Sequence, residues 1–254
     1  MPNAPAAAHA LAILGCLARH AEPMPAAAIA RELGLPRSSV YHLLAVLRAG
    51  GFVAHLGEER RYGLGVAAFE LGSAYSRQAP LQRMARTALA RLVDETTHNA
   101  HLAVLHGRDV LYVIEDRAAG RPPLVTDVGV RLPGQLTASG LAMLAALPAP
   151  QVRALFPSRD AFVRRHDTGI ASPRELRAAL ADVRRRGYAT EDGTVTPGFA
   201  SVADAVRDHN AHPVAAVAVT FLADRVDPAA RERLAAAAVR TAAELSVRLG
   251  HRPR

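Results

Sequence analysis

Residues 36–48 combine basic, hydroxyl and imidazole side chains with an apolar repeat. Apolar side chains recur at i, i+3, i+4 and i+7, which predicts one apolar helical face; they are Val40, Leu43, Leu44 and Leu47. The opposite face then presents Arg37, Ser38, Ser39, Tyr41, His42 and Arg48. Guanidinium, hydroxyl and imidazole groups hydrogen-bond phosphates and the edges of bases. The pattern therefore favours a helix whose polar face binds a nucleic acid.

The elements around this helix predict a winged helix-turn-helix. A preceding helix is expected to begin at Pro25 and to end in a left-handed cap at Gly34. Pro36 follows the short turn and opens the second helix. Strands at residues 52–56 and 60–64 form a hairpin, the wing, from which Arg60 or Arg61 is expected to touch the DNA backbone. A further helix over residues 6–20 completes a three-helix core.

Two packed helices and a hairpin also occur in other small α+β domains, where Arg37 and Arg48 would merely be solvated. The three-residue turn, the small residues on the outer face and the immediate hairpin favour DNA binding over that alternative. Net charge does not decide the question. All 31 basic residues are arginine, and the net charge is +8, but residues 1–75 hold six arginines and five glutamates.

Length and composition bound the class of protein. A chain of 254 residues with 50% hydrophobic content suggests about two domains with sizeable cores. No apolar run approaches the roughly 18 residues of a membrane span, and the N-terminus has no signal-peptide pattern, so we expect a cytoplasmic protein. The single cysteine, Cys16, is expected to be a small buried apolar residue.

The chain is expected to divide into a DNA-binding domain over residues 1–65, a linker helix over residues 66–80 and a second domain over residues 81–254. In the second domain, helices alternate with strand hairpins, which predicts an α+β domain with a mainly antiparallel sheet. One helix is expected to begin with Thr137 as its N-cap, and another follows the capping sequence that starts at Ser172. A weaker strand is predicted over residues 124–128.

Several segments resemble the IclR family of bacterial transcriptional regulators: GLPRSSVYHLLAVLRAGGFV, RYGLG, RLPGQLTASGLAMLAALP, RRRGYATEDGTVTPGFASVA and AAELSVRLG. The resemblance spans nearly the whole chain. It implies a winged helix-turn-helix followed by a GAF-like domain that binds a small-molecule effector, with no cofactor. It also implies a homodimer or homotetramer acting on a palindromic operator in double-stranded DNA.

Carried over by motif position, the resemblance assigns seven residues to the effector site: Leu132, Ala138, Ser139, Glu191, Asp192, Phe199 and Ser201. Thr137 and Gly140 are added to this set because they lie at the N-terminus of the same predicted helix. Phe221 stands where the family commonly has glycine, and it narrows the pocket if its side chain points inward.

The helix N-terminus at residues 138–140 has a physical reason to bind an anion, because free N–H groups and the helix dipole favour negative charge. We therefore expect a small organic acid as effector. The competing interpretation is that Thr137 is only an N-cap and that Gly140 only permits close packing. Glu191 and Asp192 could bond a ligand hydroxyl or share a proton, or could be ordinary solvated turn residues.

The sequence also offers features of three other functions. A metal site could use His98 with His101, or His209 with His212, but neither pair lies on a predicted helix and no cysteine is near, so no metal is expected. A hydrolase could use Ser201 with His209 or His212, but no nucleophile elbow surrounds the serine, so no catalytic residue is expected. A DNA-binding protein that needs no ligand would use the second domain only to oligomerise.

Overall fold

The computed structural model of the protein describes residues 4–78, 80–120, 127–165 and 168–252. The chain forms two compact units, residues 1–79 and residues 80–254. Each unit has its own hydrophobic core. Within the described ranges, no helix has the length and apolar character needed to cross a membrane.

The first unit is a three-helix core with a small antiparallel sheet. Its elements are α1 (Pro5–Arg19), β1 (Met24–Pro25), α2 (Ala26–Leu33), α3 (Arg37–Ala49), β2 (Val53–Leu56), β3 (Arg61–Leu64) and α4 (Val66–Gln78). Ile13, Ile29 and Leu44, one from each of the first three helices, are completely buried together. Cys16 lies in the same core, as the sequence predicts. The three strands lie in the order β1-β3-β2.

The turn between α2 and α3 has the predicted construction. Gly34 ends α2 in the left-handed region at φ 65°, where a side chain would be strained. Pro36 is the residue before α3. The predicted start of α2 is one residue early, because Pro25 belongs to β1, where it pairs with Arg61 of β3.

The second unit is one sheet with helices on both faces. Its helices are α5 (Pro80–Thr96), α6 (Ala138–Ala146), α7 (Ala149–Leu155), α8 (Pro173–Arg186) and α9 (Pro228–Arg248). Its strands are β4 (Asn99–His106), β5 (Asp109–Asp116), β6 (Arg131–Pro133), β7 (Ala189–Asp192), β8 (Phe199–Arg207) and β9 (Pro213–Leu222). They are antiparallel throughout, in the order β6-β5-β4-β9-β8-β7. The α+β class and the mainly antiparallel sheet predicted from the sequence are confirmed.

The two faces of this sheet bury different helices. On one face, α5 and α9 pack through residues such as Leu89, Leu92 and Leu245. On the other, α6 lies between the sheet and α8, and every residue from Ala138 to Ala145 is buried. Helix α6 is apolar nearly all round because it is covered on both sides, and its N-terminus is therefore held deep inside the unit.

Two strands of the second unit were not predicted from the sequence, and neither was β1 of the first unit. Strand β6 has three residues and includes arginine and proline, and β7 has the sequence ATED, so neither shows an apolar alternation. Most of the strand predicted over residues 124–128 lies outside the described residues.

Candidate functional site

The polar face of α3 is exposed, opposite the buried stripe of Val40, Leu44 and Leu47. Pro36 and the polar residues predicted to bind DNA lie on the open side: Arg37, Ser38, Tyr41, His42 and Arg48 are exposed, and Ser39 is half-buried. The side chain of Tyr41 is 53% exposed although it is large and aromatic. This surface therefore presents two guanidinium groups, an imidazole and three hydroxyls to a partner.

The two arginines of the wing have different surroundings. Arg60 is exposed in the turn between β2 and β3, with φ 52°. Arg61 lies in β3, and its Nη1 donates a hydrogen bond of 2.9 Å to the carbonyl of Pro23. The same guanidinium lies 3.9 Å from a carboxylate oxygen of Glu59. Arg61 thus ties the hairpin to the segment that precedes β1, whereas Arg60 is exposed and can contact another molecule.

A cavity lies between the N-terminus of α6 and the face of the sheet that α6 covers. Its walls come from the start of α6, from strands β4, β5, β7, β8 and β9, and from the segment that joins β7 to β8. The lining residues are His101, Tyr112, Thr137, Ala138, Ser139, Glu191, Val195, Thr196, Phe199, Ser201, Ala218 and Thr220. The volume of the cavity is about 20 Å³, which is room for about one water molecule. The cavity is therefore small and mostly enclosed by close walls.

The first turn of α6 is built around Thr137. Its Oγ1 accepts a hydrogen bond of 2.9 Å from the N–H of Gly140, which is the predicted N-cap. Ser139, one residue earlier, is almost completely buried. Its Oγ lies near the hydroxyl of Tyr112, but it makes no hydrogen bond of normal geometry among the described residues. This hydroxyl therefore lines the cavity at the positive end of a helix.

Glu191 faces the cavity from β7 and holds the segment that follows. Its Oε1 accepts hydrogen bonds of 2.7 Å and 3.1 Å from the backbone N–H groups of Thr194 and Val195. Burial raises the pKa of this carboxyl group, although these hydrogen bonds oppose the shift. The carboxyl group thus lines the cavity and also holds the turn that follows β7 in place.

The structure brings together six of the residues assigned to the effector site: Thr137, Ala138, Ser139, Glu191, Phe199 and Ser201. The remaining three lie outside the lining. Leu132 is buried in the apolar cluster beneath α6. Gly140 faces the backbone of Gly134, where an added Cβ would lie 2.1 Å from the carbonyl oxygen. Asp192 points away because neighbours in a strand alternate, and it pairs with Arg231 at 2.8 Å.

Alternation also places Phe221 away from the cavity. Thr220 lines the cavity, whereas Phe221 is buried in the cluster on the opposite face of the sheet. There the guanidinium of Arg231 lies 5.5 Å from the centre of its ring. The expectation that Phe221 narrows the pocket depended on an inward side chain, and this side chain points to the other face.

Sequence reasoning missed most of the cavity wall on the central strands, including His101, Tyr112, Ala218 and Thr220. His101 was considered only as half of a metal pair. The available signal was strand parity, since His101 shares the face of Ala103, a buried residue of the α6 side. A histidine at an inward position of a strand marks either a cavity or a buried partner.

The alternative hydrolase residues are not assembled. Ser201 Oγ lies 2.9 Å from Thr220 Oγ1, near the start of β8. His209 and His212 lie beyond the other end of this strand, in the turn before β9. Six residues of extended chain span about 20 Å, so neither imidazole reaches Ser201.

One group of possible metal ligands occurs in the described part of the chain. The ligand atoms of Cys16, His20 and Glu32 lie within 4.8 Å of one another. The carboxylate of Glu32 already bonds Arg19 at 3.1 Å and His20 at 2.9 Å. Burial raises the pKa of the Cys16 thiol, which disfavours the thiolate that a metal needs. The ion pairs account for this cluster without a metal.

Residues 6–57 match the family described as the IclR helix-turn-helix domain, and residues 73–247 match bacterial transcriptional regulator IclR C-terminal. Over 217 residues the chain is 30% identical to the glycerol operon regulatory protein of Streptomyces coelicolor, covering 85% of this chain and 84% of that relative. Over 224 residues it is 28% identical to the acetate operon repressor of Salmonella typhimurium, covering 87% and 81%.

Solved structures show the same fold. An IclR homologue from Microbacterium hydrocarbonoxydans, complexed with 4-hydroxybenzoate, superposes with a TM-score of 0.82 at 20% identity. The match covers 96% of this chain and 98% of that one. At this identity the likeness concerns the fold, and the ligand is that protein's own.

Proposed function

Because the chain belongs to the IclR family of bacterial transcriptional regulators, we propose that it binds a palindromic operator through α3 and the wing and that a small organic acid in the α6 cavity controls this binding. The chain is a DNA-binding transcriptional regulator. Beyond this, we propose which residues contact the DNA, that the operator is symmetric, that the effector is an acid and that the protein is cytoplasmic.

The exposed polar face of α3 supports the DNA interface. Arg37, at the first turn of α3, and His42, one turn later, are exposed on that face. The N-terminal residues of a recognition helix contact base edges, and an arginine can bond guanine in two places. Arg60 on the wing is assigned to the phosphate backbone, since Arg61 is already bonded to Pro23.

Selection from a randomised double-stranded library tests this assignment. The selected sequence should be an inverted repeat, and a homodimer should place two copies of α3 about 34 Å apart or a multiple of that. Arg37→Ala should weaken binding to the selected sequence by about 1 to 3 kcal/mol. Arg60→Ala should weaken binding to every DNA sequence by the same factor. It should also reduce the slope of log affinity against log salt concentration by about one.

Arg19→Ala is the matched control, because Arg19 is exposed but bonds Glu32 outside the α3 face. It should leave the sequence preference unchanged. Wild-type affinity and sequence preference in both Arg37→Ala and Arg60→Ala would show that the DNA surface lies elsewhere. A protein that sediments only as a monomer with the selected DNA present would contradict the dimer.

One observation supports the effector site above all: the buried hydroxyl of Ser139, which makes no hydrogen bond of normal geometry among the described residues, lies at the N-terminus of α6 and lines a cavity. A carboxylate there would accept hydrogen bonds from this hydroxyl and from backbone N–H groups, and the helix dipole would favour its charge. Val195, Phe199 and Ala218 supply apolar surface for the rest of the molecule.

Calorimetry with a panel of aliphatic and aromatic acids tests the site. Ser139→Ala should weaken the tightest acid roughly 10- to 100-fold, the range for a hydrogen bond to a charged group. Ser201→Ala is the matched lining control and should have a smaller effect, because its hydroxyl already bonds Thr220. Equal affinity in wild type and Ser139→Ala would refute the anchor.

A regulator that needs no ligand is the second candidate function. It predicts that no acid of the panel binds and that operator affinity is the same with and without each acid. A ligand can control DNA binding only if its affinity differs between the DNA-binding and non-binding states. The gel shift with and without the bound acid therefore distinguishes the two functions.

A further inference from the structure

His101 is a completely buried histidine in the middle of the sheet. It lies in β4, directly opposite Ala218 of β9 and Glu115 of β5. Its side chain lines the cavity, and its ring lies 5.7 Å from that of Tyr112 in an edge-to-face arrangement. Neither ring nitrogen has a hydrogen-bond partner among the described residues. Two polar atoms are thus enclosed beside the cavity without a partner.

Such an arrangement is costly, because a buried polar group without a partner loses its hydrogen bonds to water, at about 1 to 3 kcal/mol each. Burial also lowers the pKa of His101 to about 4, and the charge of Arg117 adds to this shift. The imidazole is therefore neutral at pH 7. In this form one nitrogen donates a hydrogen bond and the other accepts one.

The cavity accordingly has two places where a ligand can satisfy polar groups. Ser139 and the N-terminus of α6 suit a carboxylate, whereas the neutral imidazole offers no charge to a second one. A hydroxyl group both donates and accepts, so it can bond His101 whichever nitrogen has the proton.

We propose that His101 is a specificity-determining residue of the effector site: it hydrogen-bonds a hydroxyl group of the effector, which is a hydroxy acid bound in preference to the same acid without that hydroxyl. This inference rests on the proposed function, since it assumes that an acid occupies the cavity. It adds the second polar group of the ligand and the residue that recognises it.

The protein itself offers one other partner for His101. Residues directly opposite in an antiparallel pair have their Cβ atoms about 5 Å apart, so Glu115 is near. Its Oε1 is also buried without a partner, while its Oε2 accepts a 2.7 Å hydrogen bond from Arg117. A His101–Glu115 pair would be structural, and it would affect every acid equally. The experiment must separate these two roles.

The test is calorimetry with matched acids that differ by one hydroxyl: lactate and propionate, mandelate and phenylacetate, 4-hydroxybenzoate and benzoate. The proteins are wild type, His101→Leu, His101→Gln and Glu115→Gln. In at least one pair, wild type should bind the hydroxy acid roughly 10- to 100-fold more tightly. His101→Leu should bring that ratio to about 1, mainly by loss of hydroxy-acid affinity. His101→Gln should keep part of the ratio, because its amide donates and accepts.

Three results would overturn the inference. The first is a ratio that His101→Leu leaves unchanged, and the second is an equal loss for both members of a pair. The third is that Glu115→Gln reduces the preference for the hydroxy acid over its matched acid as much as His101→Leu does. If no acid binds the wild type at all, the proposed effector function falls together with the inference. If acids bind but the hydroxyl makes no difference, only the inference falls.

Discussion

His101 should make the stability of the second unit depend on pH. Its pKa is about 4 in the folded protein, where burial disfavours the charged ring, and about 6.5 in an unfolded chain. Between these values the unfolded state binds more protons than the folded state, so the free energy of unfolding falls as the pH is lowered from 6.5 towards 4. From pH 7 to pH 5, this one group should cost about 2 kcal/mol.

The comparison of wild type with His101→Leu isolates this effect. Other shifted groups, such as Glu191 and Asp204, titrate in both proteins and cancel in the difference. The measurement is urea unfolding followed by far-ultraviolet circular dichroism, since the chain has no tryptophan. At pH 7 the variant should be at least as stable, because it removes two polar atoms without partners. At pH 5 the free energy of unfolding of His101→Leu, relative to that of wild type, should be about 2 kcal/mol higher than at pH 7. Parallel curves for the two proteins would refute the reasoning.

Two further substitutions probe the elements that hold the cavity, and a third serves as a control. Gly140→Ala should destabilise the protein by about 1 to 3 kcal/mol or more, because the new Cβ would lie 2.1 Å from the carbonyl oxygen of Gly134. Gly15→Ala in α1, whose nearest contact is 3.7 Å away, should instead stabilise by about 1 kcal/mol, and thermal unfolding of both variants checks the contrast. Ser172→Ala should cost about 1 kcal/mol in urea unfolding, because Ser172 caps α8; no change would show that the cap is dispensable.

The exposed polar face of α3, which we propose binds DNA, could be predicted from the sequence because one local pattern determines which side of the helix is exposed. The apolar stripe of α3 sets which side is buried, and what remains must be exposed. Gly34 and Pro36 mark the turn through their backbone preferences alone. None of these inferences needs a contact between distant parts of the chain, which is why the structure agrees with them to within a residue or two.

The cavity could be predicted only in part, because strand register is a long-range property. Family motifs located the segments of Ser139, Glu191 and Ser201, but a motif does not say which side of a strand faces inward. A shift of one residue reverses the face, as Asp192 and Phe221 illustrate. His101 was missed as a wall residue because its role depends on the pairing of β4 with β9, and the helix above them is apolar on all sides.

The size of the cavity determines what effector binding must do to the protein. With a volume of about 20 Å³, the cavity holds about one water molecule and is too small for an organic acid. An acid must therefore move a wall. The turn after β7 is held by the Oε1 of Glu191 and by the carbonyl of Leu136, which accepts a hydrogen bond from Thr194 at 2.7 Å. At the far end of this segment, the carbonyl of Gly198 accepts a hydrogen bond of 2.9 Å from the N–H of Ala223. An anion entering beside the carboxyl group of Glu191 competes with it for donors and repels its charge. If an acid binds Ser139 and His101 as we propose, it favours a conformation in which this turn is displaced, and that difference in affinity between two conformations is what a regulator requires.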